Sequence, residues 1–429
     1  MLQTLKRYYS EPLYRNSIAL MMYTASGAVF GLVFWIVAAH TVSSTDIGLA
    51  TAVISLVTLI TTLAQFGMDN GLIRFLPTSK NRDILYSTVI TITFIVTIII
   101  TLIFLVGLNI FSPSLLFLRN GIYPVILILY MALASIYLMQ NTAIIALRRG
   151  DLYLLQSLIL GFRIVLLIVF ASFGVMGILA ALTINYFITF LTGLYIISKL
   201  GVKFKLMINL ESLKEIFSFS IGTYTADILA TAPTAFIPIL IVNTIGATDN
   251  AYYYIAFTIA NLLFQMQNAI STSLFVEGSH NIPLKQNVIK SIKLNIVILV
   301  LAIAVVFLLG KDILLIFNKE FSDQSFDLLK ILAISGIFSA ITSIYLSIKR
   351  VQKDIKIINY INFISSAFLI VVGYIFLNEF GLMGIGYTWL ILNVGMCIVI
   401  VGLVLKHDKY NPRSLLKREV VSPSDRKAL

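Results

Sequence analysis

Two ionisable side chains fall deep inside apolar stretches of this 429-residue chain. Arg163 lies twelve residues past Asp151 within the stretch 152–172, about 18 Å along a helix at 1.5 Å per residue. A charge that deep must face protein or a hydrated space, because hydrocarbon solvates it poorly. The planar guanidinium offers a fork of donors that matches phosphate oxygens; the competing reading is an ion pair inside a helix bundle. Asp227 stands about eleven residues into the stretch 216–242. A buried carboxylate can take up a proton or a cation, or it can serve as the partner of Arg163. Pro233 and Pro238 follow it. Pro233 should interrupt the backbone ladder, bend the helix and release the carbonyl of Leu229.

Neutral polar groups add a second pattern. Thr58, Thr62, Gln65 and Asp69 recur at i, i+4, i+7 and i+11, which is one face of a helix. Asn261, Gln265, Asn268 and Thr272 repeat that face 203 positions later. Rows of amides and hydroxyls suit a hydroxyl-rich cargo in a hydrated cavity; alternatively they are hydrogen-bonding glue between helices, worth roughly 1 kcal/mol per contact. The single Cys397 and the scattered His40, His280 and His407 offer no metal cluster. The chain also lacks a glycine-rich phosphate loop, a catalytic carboxylate pair and a Ser/His arrangement. Neither cofactor nor metal is expected, and the chain reads as a non-enzyme.

The elements that would carry these residues follow from composition. Hydrophobic residues make up 59% of the chain and charged ones 12%, against about 45–50% and about 25% in soluble domains. Twelve apolar runs approach the roughly 20 residues needed to cross a bilayer: 17–39, 47–66, 84–108, 122–147, 152–172, 175–198, 216–242, 251–276, 294–310, 326–348, 357–377 and 383–405. The first run reads as a retained span, not a signal peptide. With the N-terminus inside, 26 of the 31 Lys and Arg fall on inner segments and only Arg119, Lys311 and Lys319 on outer loops. That asymmetry places both termini in the cytoplasm of a multi-pass cell-membrane protein. It also accounts for the net charge of +12 without a nucleic-acid partner.

The chain says one thing twice. HTVSSTD at 40–46 returns as NTIGATD at 243–249, and FGVMGI at 173–178 returns as FGLMGI at 380–385. An even number of helices per copy makes the copies parallel repeats, as in rocking transporters. The expected organisation is a six-helix lobe 1–198, a cytoplasmic connector 199–215, a second six-helix lobe 216–405 and a basic tail 406–429. Asp46 and Asp249 read as N-caps, Gly27 and Gly31 as a close-packing pair, and the connector as an interfacial helix.

FGMDNGLIRFLP (66–77), ALRRGDLY (146–153), FGVMGI (173–178) and LKEIFSFSIG (213–222) follow one another in an order that resembles the polysaccharide flippases, the O-antigen-type lipid-linked oligosaccharide transporters. These are grouped with multidrug and toxin extrusion antiporters and lipid II flippases, and the likeness covers nearly all of residues 10–405. The resemblance implies an all-α membrane fold in which two six-helix bundles form a V around a central, often cationic cavity. It implies a lipid-linked, polyprenyl-phosphate-type glycan moved from inner to outer leaflet by a monomer. Membrane lipids and glycosyltransferases or a polymerase of the same pathway would be its partners. On that view Arg163, Thr58, Thr62, Gln65, Asn261, Gln265 and Asn268 contact the cargo and Asp227 couples the cycle to an ion. Two other functions compete. A cation-coupled multidrug antiporter would usually carry an acid in its first helix, and 17–39 holds none. A membrane polymerase or ligase would need a large outer loop.

Overall fold

The computed structural model describes residues 12–279, 284–352 and 354–410. His280 and most of the basic tail, with Pro412 and Pro423, lie outside the described residues. Those described form helices and loops only. In lipid a backbone must satisfy its own polar groups, and a helix does so within one segment.

The first repeat begins with α1 (Pro12–Thr41), α2 (Ser44–Gln65), the short α3 (Met68–Phe75) and α4 (Arg82–Val106). It continues with a single turn, α5 (Leu108–Phe111), then α6 (Tyr123–Ala146), α7 (Gly150–Gly161), α8 (Arg163–Phe170) and α9 (Gly174–Lys199). Next come α10 (Leu210–Thr244), α11 (Ala247–Ser279), α12 (Leu284–Leu315), α13 (Lys319–Val351), α14 (Ile355–Phe380) and α15 (Leu382–Tyr410). Among the described residues ten stretches are long and apolar enough to cross a membrane. One of them, Gly150–Lys199, runs for 50 residues through α7, α8 and α9 and covers two of the expected spans. The expected span 251–276 is not among the ten, because the amides of α11 dilute its apolar character.

Packing divides the chain into two compact units, Met1–Ile255 with Leu315–Phe321, and Ala256–Leu314 with Ser322–Leu429. The first takes in α10 and the start of α11, so packing and repeat divide the chain differently. Its core gathers Met68, Leu72, Tyr86, Val89, Met139 and Ile144. The second unit has a core of Tyr345, Ile361, Leu369, Leu392, Met396 and Ile400.

The repeat is visible in local geometry. Gly174 and Gly381 both have φ +58°, a left-handed conformation that glycine adopts without strain. Three residues on, a Cβ on Gly177 would lie 1.9 Å from the Phe170 carbonyl oxygen, and one on Gly384 would lie 2.0 Å from that of Phe376. Both FG-x-MG-I segments therefore turn tightly from one helix into the next, the first after a 3-10 turn and the second straight from α14.

Several expectations need correction. The N-cap of α2 is Ser43: its hydroxyl accepts the Asp46 N–H (3.1 Å) and donates to Asp46 Oδ2 (2.6 Å). Asp46 is thus the third helical residue, bonded to the cap rather than being it. The connector is non-helical from 201 to 209 and becomes helix only at Leu210. Its backbone is held from α4: Lys203 N–H donates to Asp83 Oδ1 (2.9 Å), Lys205 N–H to Ser87 Oγ (2.9 Å) and Asn209 N–H to Thr88 Oγ1 (3.0 Å). Those side-chain acceptors replace the bonds a helix would supply. Gly27 has nothing within 4 Å of its missing Cβ, so it is no packing contact.

Candidate functional site

The residue with most to explain is Arg163. Span 152–172 does not form one helix: α7 ends at Gly161, Phe162 makes a turn, and α8 restarts at Arg163. The side chain reaches toward α1, with its guanidinium carbon 5.3 Å from the Phe34 ring centre. Its Nη2 lies 3.8 Å from where a Gly31 Cβ would stand. Gly31 therefore makes room for the cation, and its pairing with Gly27 is not a packing motif.

Among the described residues no hydrogen bond or ion pair reaches the guanidinium. Its Nε is enclosed and has no partner. The ion pairs found are Arg149–Asp151, Lys330–Asp327 and Lys349–Asp354. The alternative of an Arg163–Asp227 pair is therefore not realised. The residue as a whole is half-buried and only Nε is shut off, and an enclosed donor of a charged group left unbonded forfeits about 1.5–3 kcal/mol.

What surrounds it is aromatic and hydroxylic. Tyr130 on α6, Tyr186 on α9 and Tyr254 on α11 all feel the Arg163 charge. Tyr186 packs against Tyr130 (ring centres 5.6 Å) and edge-on against Tyr137 (5.3 Å), while Trp35 lies edge-on to Tyr254 (5.0 Å). The cluster continues along α1: Tyr137 Oη is 3.4 Å from Tyr23 Oη, and Tyr23 stacks on Tyr153 at 3.7 Å. Beside it Ser26 and Ser157 share a 2.7 Å hydrogen bond. A guanidinium with phenols in its neighbourhood presents donors and flat faces. It can hold a phosphate through charged hydrogen bonds and sugar rings by stacking.

The sequence reading missed these tyrosines, although the signal was present. Tyr130, Tyr137 and Asn141 stand at i, i+7 and i+11 on α6, the spacing that marked the Thr58 face. Asn141 is buried and both its side-chain polar atoms lack partners, as do the carbonyl oxygens of Gln140, Gln156 and Asn185.

Asp227 is exposed on α10 rather than enclosed. The Asn70 side-chain amide donates to its Oδ2 (3.3 Å) and, more weakly, toward Asp69 Oδ1 (3.5 Å). One amide thus bridges two carboxylates beside the middle of α10. Burial holds the Asp69 carboxyl above its ordinary value, although backbone N–H groups of Asp69 and Asn70 pull it down. Pro233 and Pro238 both lie within α10, which runs through them from Leu210 to Thr244. The FGMDNGLIRFLP segment explains how α3 comes to stand here. Phe66 and Gly67 are both left-handed (φ 47° and 70°), which folds the chain back against α10. There a Cβ on Gly71 would come within 2.4 Å of Ile216.

The Thr58 and Thr62 hydroxyls donate to their own helix, to the Ile54 (3.0 Å) and Thr58 (2.8 Å) carbonyls. Gln65 is half-buried on the same helix. In the second unit, Gln265 and Asn268 are exposed and Asn261 is half-buried. Their neighbours Gln267 and Ser271 face the other way and bond to α13: Gln267 Nε2 to the Gly336 carbonyl (2.9 Å), Ser271 Oγ to that of Ser343 (2.5 Å). The packing role in α11 thus falls to Gln267 and Ser271, leaving Asn261, Gln265 and Asn268 off that contact. Arg163 and the Thr58 row are not brought together by any hydrogen bond.

A profile of the family described as "Polysaccharide biosynthesis protein" matches residues 13–276. No curated protein sequence matches the chain. Among solved structures, the lipid II flippase MurJ in an inward closed conformation superposes with a TM-score of 0.69 at 15% identity, over 91% of this chain and 87% of that one. A multidrug resistance MATE transporter of the MOP superfamily, inward-facing, gives 0.67 at 16% identity over 90% and 96%. A MOP superfamily transporter from Pyrococcus furiosus, whose binding pocket has reversed polarity, gives 0.59 at 15% over 96% and 98%. This chain therefore belongs to the polysaccharide biosynthesis protein family, as an all-α multi-pass membrane protein with the fold of the MOP superfamily transporters.

Proposed function

We propose that this protein is a flippase that moves a lipid-linked oligosaccharide, of the polyprenyl-phosphate type, from the inner to the outer leaflet by alternating access. The observation that carries the reading is the partnerless Arg163 guanidinium among Tyr130, Tyr186 and Tyr254. It supplies what a lipid-linked glycan needs: a cation for the phosphate and aromatic faces for the sugars. Family membership supports the glycan part.

In this account both termini are cytoplasmic and the six-helix repeats 1–198 and 216–405, joined at 199–215, are the moving parts. Thr58, Thr62, Gln65, Asn261, Gln265 and Asn268 offer hydrogen bonds to passing hydroxyls. Asp227, with Asp69 and Asn70, links the cycle to a proton or sodium ion. No covalent bond changes, so no catalytic group or cofactor is required. The cargo reaches the protein from membrane-bound glycosyltransferases and leaves to a polymerase, and a monomer suffices.

A cation antiporter of the multidrug type would place an acid, not an arginine, where the cargo sits. Replacement separates the two. Arg163→Ala should abolish glycan export at normal protein levels, and Arg163→Lys should rescue part of it, since an ammonium keeps the charge but not the fork. Full export by Arg163→Ala would sink the reading.

A further inference from the structure

One cavity in the first unit lies away from the tyrosine chamber. It has a volume of about 530 Å³ and opens between the start of α4 and the connector, lined by Lys80, Arg82 and Lys205 with Ser79, Asn81 and Gly201. None of the three cations takes part in an ion pair among the described residues. Arg82 is tied down by donating from Nη2 to the Pro77 carbonyl (2.7 Å), which fixes its guanidinium. Asp83, the one acid in the lining, has Oδ1 engaged by the Lys203 N–H (2.9 Å). Helix α4 starts at this cavity, and no side chain caps its first amides. An uncapped helix N-terminus adds a partial positive charge to the three full ones.

The depth of this cavity comes from a separate observation. Past Lys205 the connector exposes Leu206 (77%) and Ile208 (47%), and the first residue of α10, Leu210, is exposed too (73%). Exposed apolar side chains that follow Lys203 and Lys205 on the basic side of a membrane protein sit at the headgroup–acyl boundary. The positive-inside rule explains the sign of these residues but not their convergence on a concave site at that depth. We propose that the cavity binds the phosphate of an anionic phospholipid headgroup in the inner leaflet, with Lys80, Arg82 and Lys205 as its cationic contacts. The connector between the repeats would then be clamped to the membrane at the point where the chain passes from one copy to the other. The assignment is independent of which cargo the chamber around Arg163 carries.

The test uses full-length protein in nanodiscs of phosphatidylcholine alone or with phosphatidylglycerol, with retained lipid read by native mass spectrometry and unfolding by thermal melting. Phosphatidylglycerol should be retained and should raise the melting temperature. K80A/R82A/K205A should weaken its retention roughly a hundredfold, each basic residue near the surface being worth about fivefold. Removal of three equally basic side chains elsewhere, K290A/K293A/K356A, should leave retention unchanged. R82K alone should lose only part of it, which guards against misfolding of the triple variant. Equal retention by K80A/R82A/K205A and the parent would overturn the site, as would equal loss in the control triple. Stabilisation by inorganic phosphate in phosphatidylcholine discs that vanishes in K80A/R82A/K205A, without phosphatidylglycerol retention, would overturn the lipid assignment in favour of free phosphate.

Discussion

The Thr45 hydroxyl oxygen lies 2.9 Å from that of Thr248, and the two residues stand 203 positions apart, the offset of the repeat itself. Equivalent residues of the two sequence repeats thus meet directly, at the turns that precede α2 and α11. The neighbourhood is tight: the Asn250 side-chain amide donates to the Gly48 carbonyl (2.7 Å) and to Thr51 Oγ1 (3.0 Å). Glu320 accepts from Ser44 (2.9 Å) and from Tyr252. Under the alternating access proposed above, opening at this end of the protein must part these two turns.

Cross-linking should therefore stop the cycle. In a background with Cys397→Ser, the pair Thr45→Cys and Thr248→Cys should form a disulfide under oxidation, block transport and regain it on reduction. Transport at the parent rate by fully cross-linked protein would show that the two turns never separate.

Gly48 tests the same closure by steric means. A Cβ there would stand 1.6 Å from the Ala247 carbonyl oxygen, which backbone cannot yield. Gly48→Leu should hold the outer turns apart and raise the labelling of a reporter cysteine at position 45 by impermeant reagent at least severalfold. Unchanged labelling in a well-folded variant would count against the outer closure.

Around Arg163 the space left by Gly31 should be measurable. The nearest guanidinium nitrogen is 3.8 Å from the absent Cβ, an ordinary contact, so Gly31→Ala should be tolerated. Gly31→Leu should displace the guanidinium and cost about 10–100-fold in cargo affinity, the worth of one charged hydrogen bond. Tyr186→Phe keeps the ring and removes a donor, and should cost about tenfold at most. Equal affinities for all three variants and the parent would remove the chamber from the cargo path.

Asp69 gives a pH prediction. Its carboxyl is held above the ordinary value of 3.8 by burial, so the folded protein binds this proton more tightly than the unfolded chain does. The stability so contributed is full below the ordinary value and is lost as pH rises through the folded one. Asp69→Asn should thus melt higher than the parent at neutral pH, and the gap should close as pH falls toward the ordinary carboxylate range. A gap independent of pH would show that the carboxyl does not titrate there.

Much of this was legible in the chain. Lipid imposes helices, so the apolar runs located the spans, and the repeated HTVSSTD and FG-x-MG-I segments fall at equivalent corners. Arg163 stood out because a lone charge in an apolar run has no bland surface explanation. Pairwise placement was not legible. Periodicity marks the face a residue occupies but not what stands opposite, so Asp227 was a candidate partner for Arg163 until α3 brought Asn70 to it. The non-helical connector was hidden for a similar reason: its backbone bonds go to Asp83, Ser87 and Thr88, more than a hundred residues earlier. Tyr130, Tyr137 and Tyr186 do not stand out in the sequence, because aromatic residues in a membrane span read as lipid-facing or core.

The central claim is that this protein carries a lipid-linked glycan, and its most direct test is translocation itself. Purified protein in proteoliposomes, loaded with a fluorescent polyprenyl-diphosphate oligosaccharide, should move the lipid between leaflets in a measurement of glycan accessible to an added hydrolase. The account predicts translocation by the parent well above that of protein-free vesicles, loss of it in Arg163→Ala, and no movement of an organic cation under the same gradients. Efflux of the organic cation, with the glycan lipid crossing no faster than in protein-free vesicles, would contradict it.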